Sequence, residues 1–527
     1  MANSNIPPQP EPEPSAKGVK PSSGLLRSSS VVSAMTLLSR VLGLVRDIFV
    51  ATYFGARADA FFVAFKIPNF FRRLFAEGAF NVAFVPVLSE YKVEQRDVKS
   101  LVSAVSGTML AILGPFTLIA VAGAPILAWI FAPGFADQPE KFALTTDLLR
   151  ITFPYLLLIS LTAFYGSVLN TYGHFAVPAV TPVLLNLCLI LATYYFTPWF
   201  DEPLMALAWG VLLAGVTQLA FQLPFVLKLG LLALPKPGFA DTGVKRILKL
   251  MVPALFGVSV SQINLLLDVL LASFLQSGSV SWLYYSDRLS QLPLGVFAIA
   301  IGVVILPSLS QKHAGKNQQQ FLATLDWAVR MVLLIGVPAA LALIVLSVPL
   351  MATIFYRGEI TAFDVENMSA SLQAYGAGLL AFMLIKVLAP GFYARQNTKT
   401  PVSIAMVAMV ANMVLNLILI FPLAHVGLAL ATTLAAYLNA FLLFWFLRKD
   451  GNYRAQPGWW AWLARLLLGN AIMLAVIMSI NPSIESWLAF SEWQRINWTA
   501  ILVAAGAGSY GLSLLIMGIR LRHLRMN

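Results

Sequence analysis

Residues 322–346, LATLDWAVRMVLLIGVPAALALIVL, decide the fold class. This run carries two charges, Asp326 and Arg330, and they stand four apart, stacked on one helix face where each neutralises the other. About twenty apolar residues cross the ~30 Å hydrocarbon layer as a helix, so the segment reads as a membrane span. Working outward, comparable runs recur near 28–52, 62–88, 101–130, 147–170, 178–199, 204–227, 246–275, 281–308, 370–392, 401–421, 427–447, 459–480 and 497–519, fourteen spans in all. The runs are continuous rather than alternating, which excludes a β-barrel. Of 527 residues, 59% are hydrophobic and 11% charged, with mean hydropathy +0.79. Globular chains carry about 25% charged residues, so a soluble surface of this size is excluded. The fold class is all-α, a polytopic membrane protein.

Loop charges orient the chain. With the N-terminus in the cytoplasm, the stretches on that side hold 22 Lys or Arg residues and the opposite loops four. Short loops rich in Lys and Arg stay in the cytoplasm, so both termini are expected there. The net charge of +12 follows from those loops, and no basic block is dense enough to read as a nucleic-acid surface. Residues 1–24, rich in Pro and Ser, cannot form a core and are expected to be a disordered cytoplasmic tail.

Set against itself at an offset of 221, the chain superimposes Asp47 on Asp268 and Pro86 on Pro307. That offset covers six spans, an even number, so the two copies share an orientation. The expected organisation is two pseudo-symmetric six-helix lobes, 25–229 and 230–450, facing a central cavity. Residues 451–527 would add two C-terminal helices.

Charged groups inside a span cost at least about 2.5 kcal/mol each, and nine basic residues lie in spans. Asp326 with Arg330, and Asp147 with Arg150, have local partners. The first two spans differ: Arg40, Arg46 and Asp47 in one, then Lys66, Asn69, Arg72, Arg73 and Glu77 within twelve residues of the other. Arg40 and Asp47 share a face, and Ser281 shares one with Arg288 in the eighth span. Arg40, Arg46, Arg72 and Arg288 exceed what Asp47 and Asp287 balance. Surplus guanidinium in a cavity suits the oxygens of phosphate or carboxylate, with snorkelling of long side chains to the interface as the alternative. Lys386 in the tenth span reads as a second-lobe anion contact or counter-charge. Asp268 with Asn264 could hold a cation or take a proton.

Catalysis has little support. The loops are too short for a catalytic domain, and the chain has no GxxxxGK[ST], HExxH or GxSxG motif. Cys188 is the sole cysteine and the four histidines are scattered, so no disulfide, metal site or cofactor is expected. A non-enzymatic transporter fits best. A membrane glycosyltransferase would need a larger extramembrane acceptor face, and a scaffold would leave the intramembrane charges without purpose.

The stretches SRVLGLVRDIFVATYFG (39–55) and DAFFVAFKIPNFFRRLFAEGAFNVAFVPVLSEY (59–91) resemble the signature of the MurJ family of bacterial lipid II flippases. This family belongs to the multidrug/oligosaccharidyl-lipid/polysaccharide exporter superfamily. GVSVSQINLLLD (257–268), SGSVSWLYYSDRL (277–289) and KVLAPGFYARQNTKTPV (386–402) are similar to it too. The resemblance implies fourteen helices, with the last two lining a groove for a prenyl tail. It implies a bacterial inner-membrane location and transport of lipid II, the undecaprenyl-diphosphate-linked disaccharide-pentapeptide used in cell-wall (peptidoglycan) synthesis, to the periplasmic leaflet. It also implies cavity arginines at Arg40, Arg46, Arg72 and Arg288. Asn69, Ser281 and Lys386 would be further substrate contacts, and Asp47, Asp59 and Glu77 acidic gating residues. Alternating access would be driven by the membrane potential or by a gradient of Na+, H+ or another ion, and a monomer suffices. A same-fold exporter of another prenyl-diphosphate saccharide, or an ion-coupled antiporter, is the alternative.

Overall fold

The structure, a computed structural model, describes residues 23–74, 79–315 and 317–519. The first half of the chain forms α1 (Ser23–Phe54), α2 (Asp59–Arg72), α3 (Ala79–Val93), α4 (Val98–Ala122), α5 (Ala124–Phe131), α6 (Pro139–Thr152), α7 (Tyr155–Thr171), α8 (Ala176–Leu191) and α9 (Met205–Lys228). The second half forms α10 (Thr242–Ser273), α11 (Ser279–Ala314), α12 (Gln318–Val345), α13 (Ser347–Phe355), α14 (Ala362–Tyr393), α15 (Lys399–Lys449), α16 (Trp459–Ile480), α17 (Ile484–Ala489) and α18 (Glu492–Ile516). Among the described residues there is no strand, and nine helices are long and apolar enough to cross a membrane. Four further segments expected to span, α1, α2 with α3, α10 and α11, are the ones that carry most of the intramembrane charges.

The expected spans 401–421 and 427–447 form one helical stretch interrupted at a single residue, Ala424 (φ 47°, ψ −130°). There the chain doubles back: a Cβ on Gly427 would lie 2.2 Å from the Leu419 carbonyl oxygen. In a continuous helix eight residues would separate these positions by about 12 Å. Only glycine permits so close an approach, which compresses the expected turn to almost nothing.

Prolines inside helices are tolerated where another group takes the freed carbonyl. Pro68 releases the Ala64 carbonyl, which accepts from Thr152 Oγ1 of α6 at 3.2 Å. Pro338 releases that of Leu334, which accepts from the Tyr510 hydroxyl of α18 at 2.7 Å. Each kink thereby becomes an interhelical contact. Between α3 and α10, Arg246 donates to both oxygens of Glu90 at 2.7 Å and holds that carboxyl below its ordinary range.

Two polar anchors attach the C-terminal helices. Asp326, paired with Arg330 at 2.9 Å, also accepts from the Tyr453 hydroxyl at 2.9 Å and Trp459 Nε1 at 2.8 Å. Arg330 donates to the Gln456 and Pro457 carbonyls. The expected local neutralisation therefore also pins the segment leading into α16. At the far end, Arg495 donates to the Trp487 and Tyr356 carbonyls at 3.2 and 2.6 Å. Asp326→Ala would strand Arg330 and two buried donors, a loss of about 3 kcal/mol. A clearly lowered Tm and new protease cutting within 450–458 are the expected readouts, and an unchanged Tm would refute the anchor.

Candidate functional site

Helix α1 passes from exposed at Arg40 to fully buried at Asp47 and Val50. Asp47 Oδ1 accepts from Arg46 Nη2 at 2.6 Å and Nε at 3.0 Å, while Oδ2 accepts from Arg288 Nε of α11 at 2.9 Å. Two guanidiniums thus share one carboxylate. Arg46 Nη2 also donates to the Tyr284 hydroxyl at 2.8 Å, and that hydroxyl donates to Asp47 at 3.2 Å. Nη1 donates to Asn186 Oδ1 of α8 at 3.1 Å, and Asn186 Nδ2 donates to the Ser39 carbonyl. The side chain of Arg46 is 9% exposed and that of Arg288 37%, so Arg288 is the more accessible of the pair. Arg46 and Arg288 together carry one positive charge more than Asp47 neutralises, and surplus guanidinium of this kind has the donors to take the oxygens of an anion.

Glycines seat these cations. A Cβ on Gly43 would lie 2.9 Å from Arg288 Nη2, and one on Gly295 would lie 1.7 Å from Arg40 Nη1. At both positions the space beside the glycine holds a guanidinium. Gly295→Ala is expected to leave Tm within about 1 °C, because the displaced group is the free end of a flexible chain. Transport should fall several-fold, and unaltered transport would remove Arg40 from the site.

A second cluster lies further along the chain. The Asp59 carboxylate, 1% exposed at the start of α2, accepts from the Gly278 N–H at 2.7 Å, the Ser281 N–H at 2.8 Å and Ser281 Oγ at 2.6 Å. It caps the N-terminus of α11, where unpaired N–H groups and the helix dipole favour an anion. Lys141, set before α7 on α6, donates to Asp59 at 2.9 Å and to Ser277 Oγ at 2.9 Å. Ser281 lies on the same helix as Arg288, seven residues before it, and the structure adds Asp59 as its partner. Arg72 Nε donates to Asn69 Oδ1 at 3.0 Å. Lys386 is exposed on α14, and Glu77 falls outside the described residues. Asp268, which the repeat pairs with Asp47, accepts from Asn416 Nδ2 of α15 at 2.8 Å.

A family model described as lipid II flippase MurJ matches residues 50–496. The chain belongs to the lipid II flippase MurJ family. A probable lipid II flippase MurJ from Vibrio cholerae is 49% identical over 512 residues, covering 95% of this chain and 98% of that protein. The lipid II flippase MurJ of Burkholderia cenocepacia is 40% identical over 511 residues, covering 95% and 99%. A solved structure of lipid II flippase MurJ in an inward closed conformation superimposes with a TM-score of 0.79 at 29% identity, covering 92% of this chain and 98% of that one. An inward-facing MATE family multidrug transporter of the MOP superfamily shares the fold, with a TM-score of 0.64 at 13% identity.

Sequence reading missed Tyr284, Asn186 and Lys141 in this MurJ-family chain. Asn186 was legible as the one amide in the apolar run VPAVTPVLLNLCLIL (177–191). Tyr284 is one of two adjacent tyrosines, and only helix rotation selects it. Lys141 read as an ordinary loop charge.

Proposed function

We propose that this protein carries lipid II from the cytoplasmic to the periplasmic leaflet by alternating access of two lobes, residues 25–229 and 230–450. The observation that carries the reading is the sharing of Asp47 by Arg46 and Arg288 in a chain of this family. A diphosphate arriving at Arg288 competes with Asp47 for its guanidinium, and Arg40 and Arg72 add further positive charge. The substrate's prenyl tail stays in hydrocarbon while its headgroup crosses in the cavity, so neither part is stranded in the wrong solvent. An apolar cavity of about 450 Å³ between α11, α12, α13 and α18 is lined by Leu292, Leu343, Leu346 and Val503. Leu292 is one turn from Arg288, which suits a tail entering beside its headgroup. The C-terminal 451–527 region thereby contributes to the tail path.

The Asp59 cluster joins α2 to α11 and closes the side opposite the basic loops, so opening requires Asp59 to leave the α11 terminus. Lys141, also its partner, would keep the carboxylate compensated during that step. Moving an anionic headgroup outward from a negative interior is downhill by about 2.3 kcal/mol per charge per 100 mV. The membrane potential therefore suffices as a driving force for a monomer, without catalysis, metal or cofactor. The deciding test is periplasmic exposure of lipid II in cells depleted of their own flippase and supplied with this protein or its Arg72→Ala form. Restoration by the first alone is expected. Failure of both at normal membrane levels would shift the cargo to another lipid-linked saccharide.

A further inference from the structure

A second apolar cavity lies away from the arginine site. It has a volume of about 630 Å³ and is formed by α12, α14, the second half of α15 and the entry into α16. No wall residue comes from α1, α2 or α11. Leu333, Leu384, Leu388 and Phe444 form its body, while Arg448 and Arg454 stand at its mouth. Both arginines are exposed, and their guanidiniums make no hydrogen bond or ion pair among the described residues. The polar handles of the neighbouring wall are already used: the Tyr453 hydroxyl and Trp459 Nε1 donate inward to Asp326. Only their ring faces remain for an occupant. Arg448 and Arg454 lie at the end of the molecule that the loop-charge count assigns to the cytoplasm.

An apolar slot with two unspent guanidiniums at the membrane–water boundary has the donor set of a lipid headgroup site. We propose that this cavity binds an anionic glycerophospholipid of the inner leaflet, its phosphate on Arg448 and Arg454 and an acyl chain along Leu333, Leu384 and Phe444. Its walls and charges belong to neither the Asp47 nor the Asp59 cluster, and it shares no residue with the cavity of about 450 Å³ assigned to the tail. Its occupant buttresses the junction between α12 and α16 that Asp326 pins from the inside.

The test uses the full-length protein, delipidated in detergent and offered dioleoyl-phosphatidylglycerol against dioleoyl-phosphatidylcholine, with retained lipid counted by native mass spectrometry. A preference of roughly tenfold for phosphatidylglycerol is expected from two basic contacts. It should fall to near parity in the Arg448→Gln/Arg454→Gln protein at unchanged Tm. Ala455→Trp, which narrows the mouth and keeps both charges, should also lower retention. No preference in the native protein, a preference that survives the double substitution, or full retention in Ala455→Trp overturns the proposal. So does displacement by undecaprenyl phosphate at equal concentration that the same double substitution abolishes, because the site would then belong to the transported class of lipid.

Discussion

Arg288→Gln is expected to leave the protein folded and inserted but unable to flip lipid II, whereas Asp47→Ala is expected to remove it from the membrane. Both substitutions break the same 2.9 Å contact, yet they leave opposite residues of charge. Without the Arg288 cation, Asp47 keeps Arg46 at 2.6 Å and the Tyr284 hydroxyl, so a buried, balanced pair persists. Without the Asp47 carboxylate, Arg46 remains buried with only Tyr284 and Asn186 for partners, and Arg288 loses its counter-ion. Removing one side of a buried pair costs about 3–5 kcal/mol, a large part of any domain's margin. Membrane abundance and Tm separate the two outcomes from loss of transport. Equal abundance of the Asp47→Ala protein would show that the carboxylate is not the keystone of the cluster. Preserved transport in Arg288→Gln would remove the anion-site reading of that arginine.

Asp59→Ala is expected to release the closed side of the molecule. The carboxylate makes three charge-assisted hydrogen bonds to Gly278 and Ser281 across the gap between α2 and α11. Their loss is worth about 3 kcal/mol after the gain of solvation, roughly a hundredfold change in the ratio of open to closed molecules. Spin labels at Arg57→Cys and Gln276→Cys, both exposed and on either side of the contact, measure it directly. The background needs only Cys188→Ser, since Cys188 is the sole cysteine. A single short distance in the parent should give way to a longer population in Asp59→Ala. Lys141→Ala should produce a smaller shift, because the bonds to the α11 terminus remain. Identical distance distributions in parent and Asp59→Ala would rule out the latch.

Much of the fold was legible in the chain because a membrane span is a local property. Twenty apolar residues commit to a helix wherever their neighbours lie, since backbone polar groups have no other partners in hydrocarbon. Thus α16 occupies the expected 459–480, and the break between the seventh and eighth spans falls at 274–278. The intramembrane arginines were equally conspicuous, since a costly charge needs a use. The turn at Ala424 was less so: its tightness depends on Gly427 meeting the Leu419 carbonyl, a contact composition does not announce.

The sequence by itself determined an all-α membrane protein with too much guanidinium near its first, second and eighth spans. Only the tertiary structure decided which charges meet. Arg46 turns to its neighbour Asp47, and Asp47 to Arg288, 241 positions away. Ser281, on the helix face it shares with Arg288, binds Asp59, 222 positions away. Apolar periodicity states which face of a helix is unlike the others. The rotation and tilt that set partner against partner come from packing between helices, through glycine seats such as Gly43 and Gly295 and captured carbonyls such as that of Ala64. Those contacts are written across the whole chain, and no segment contains both halves of any of them.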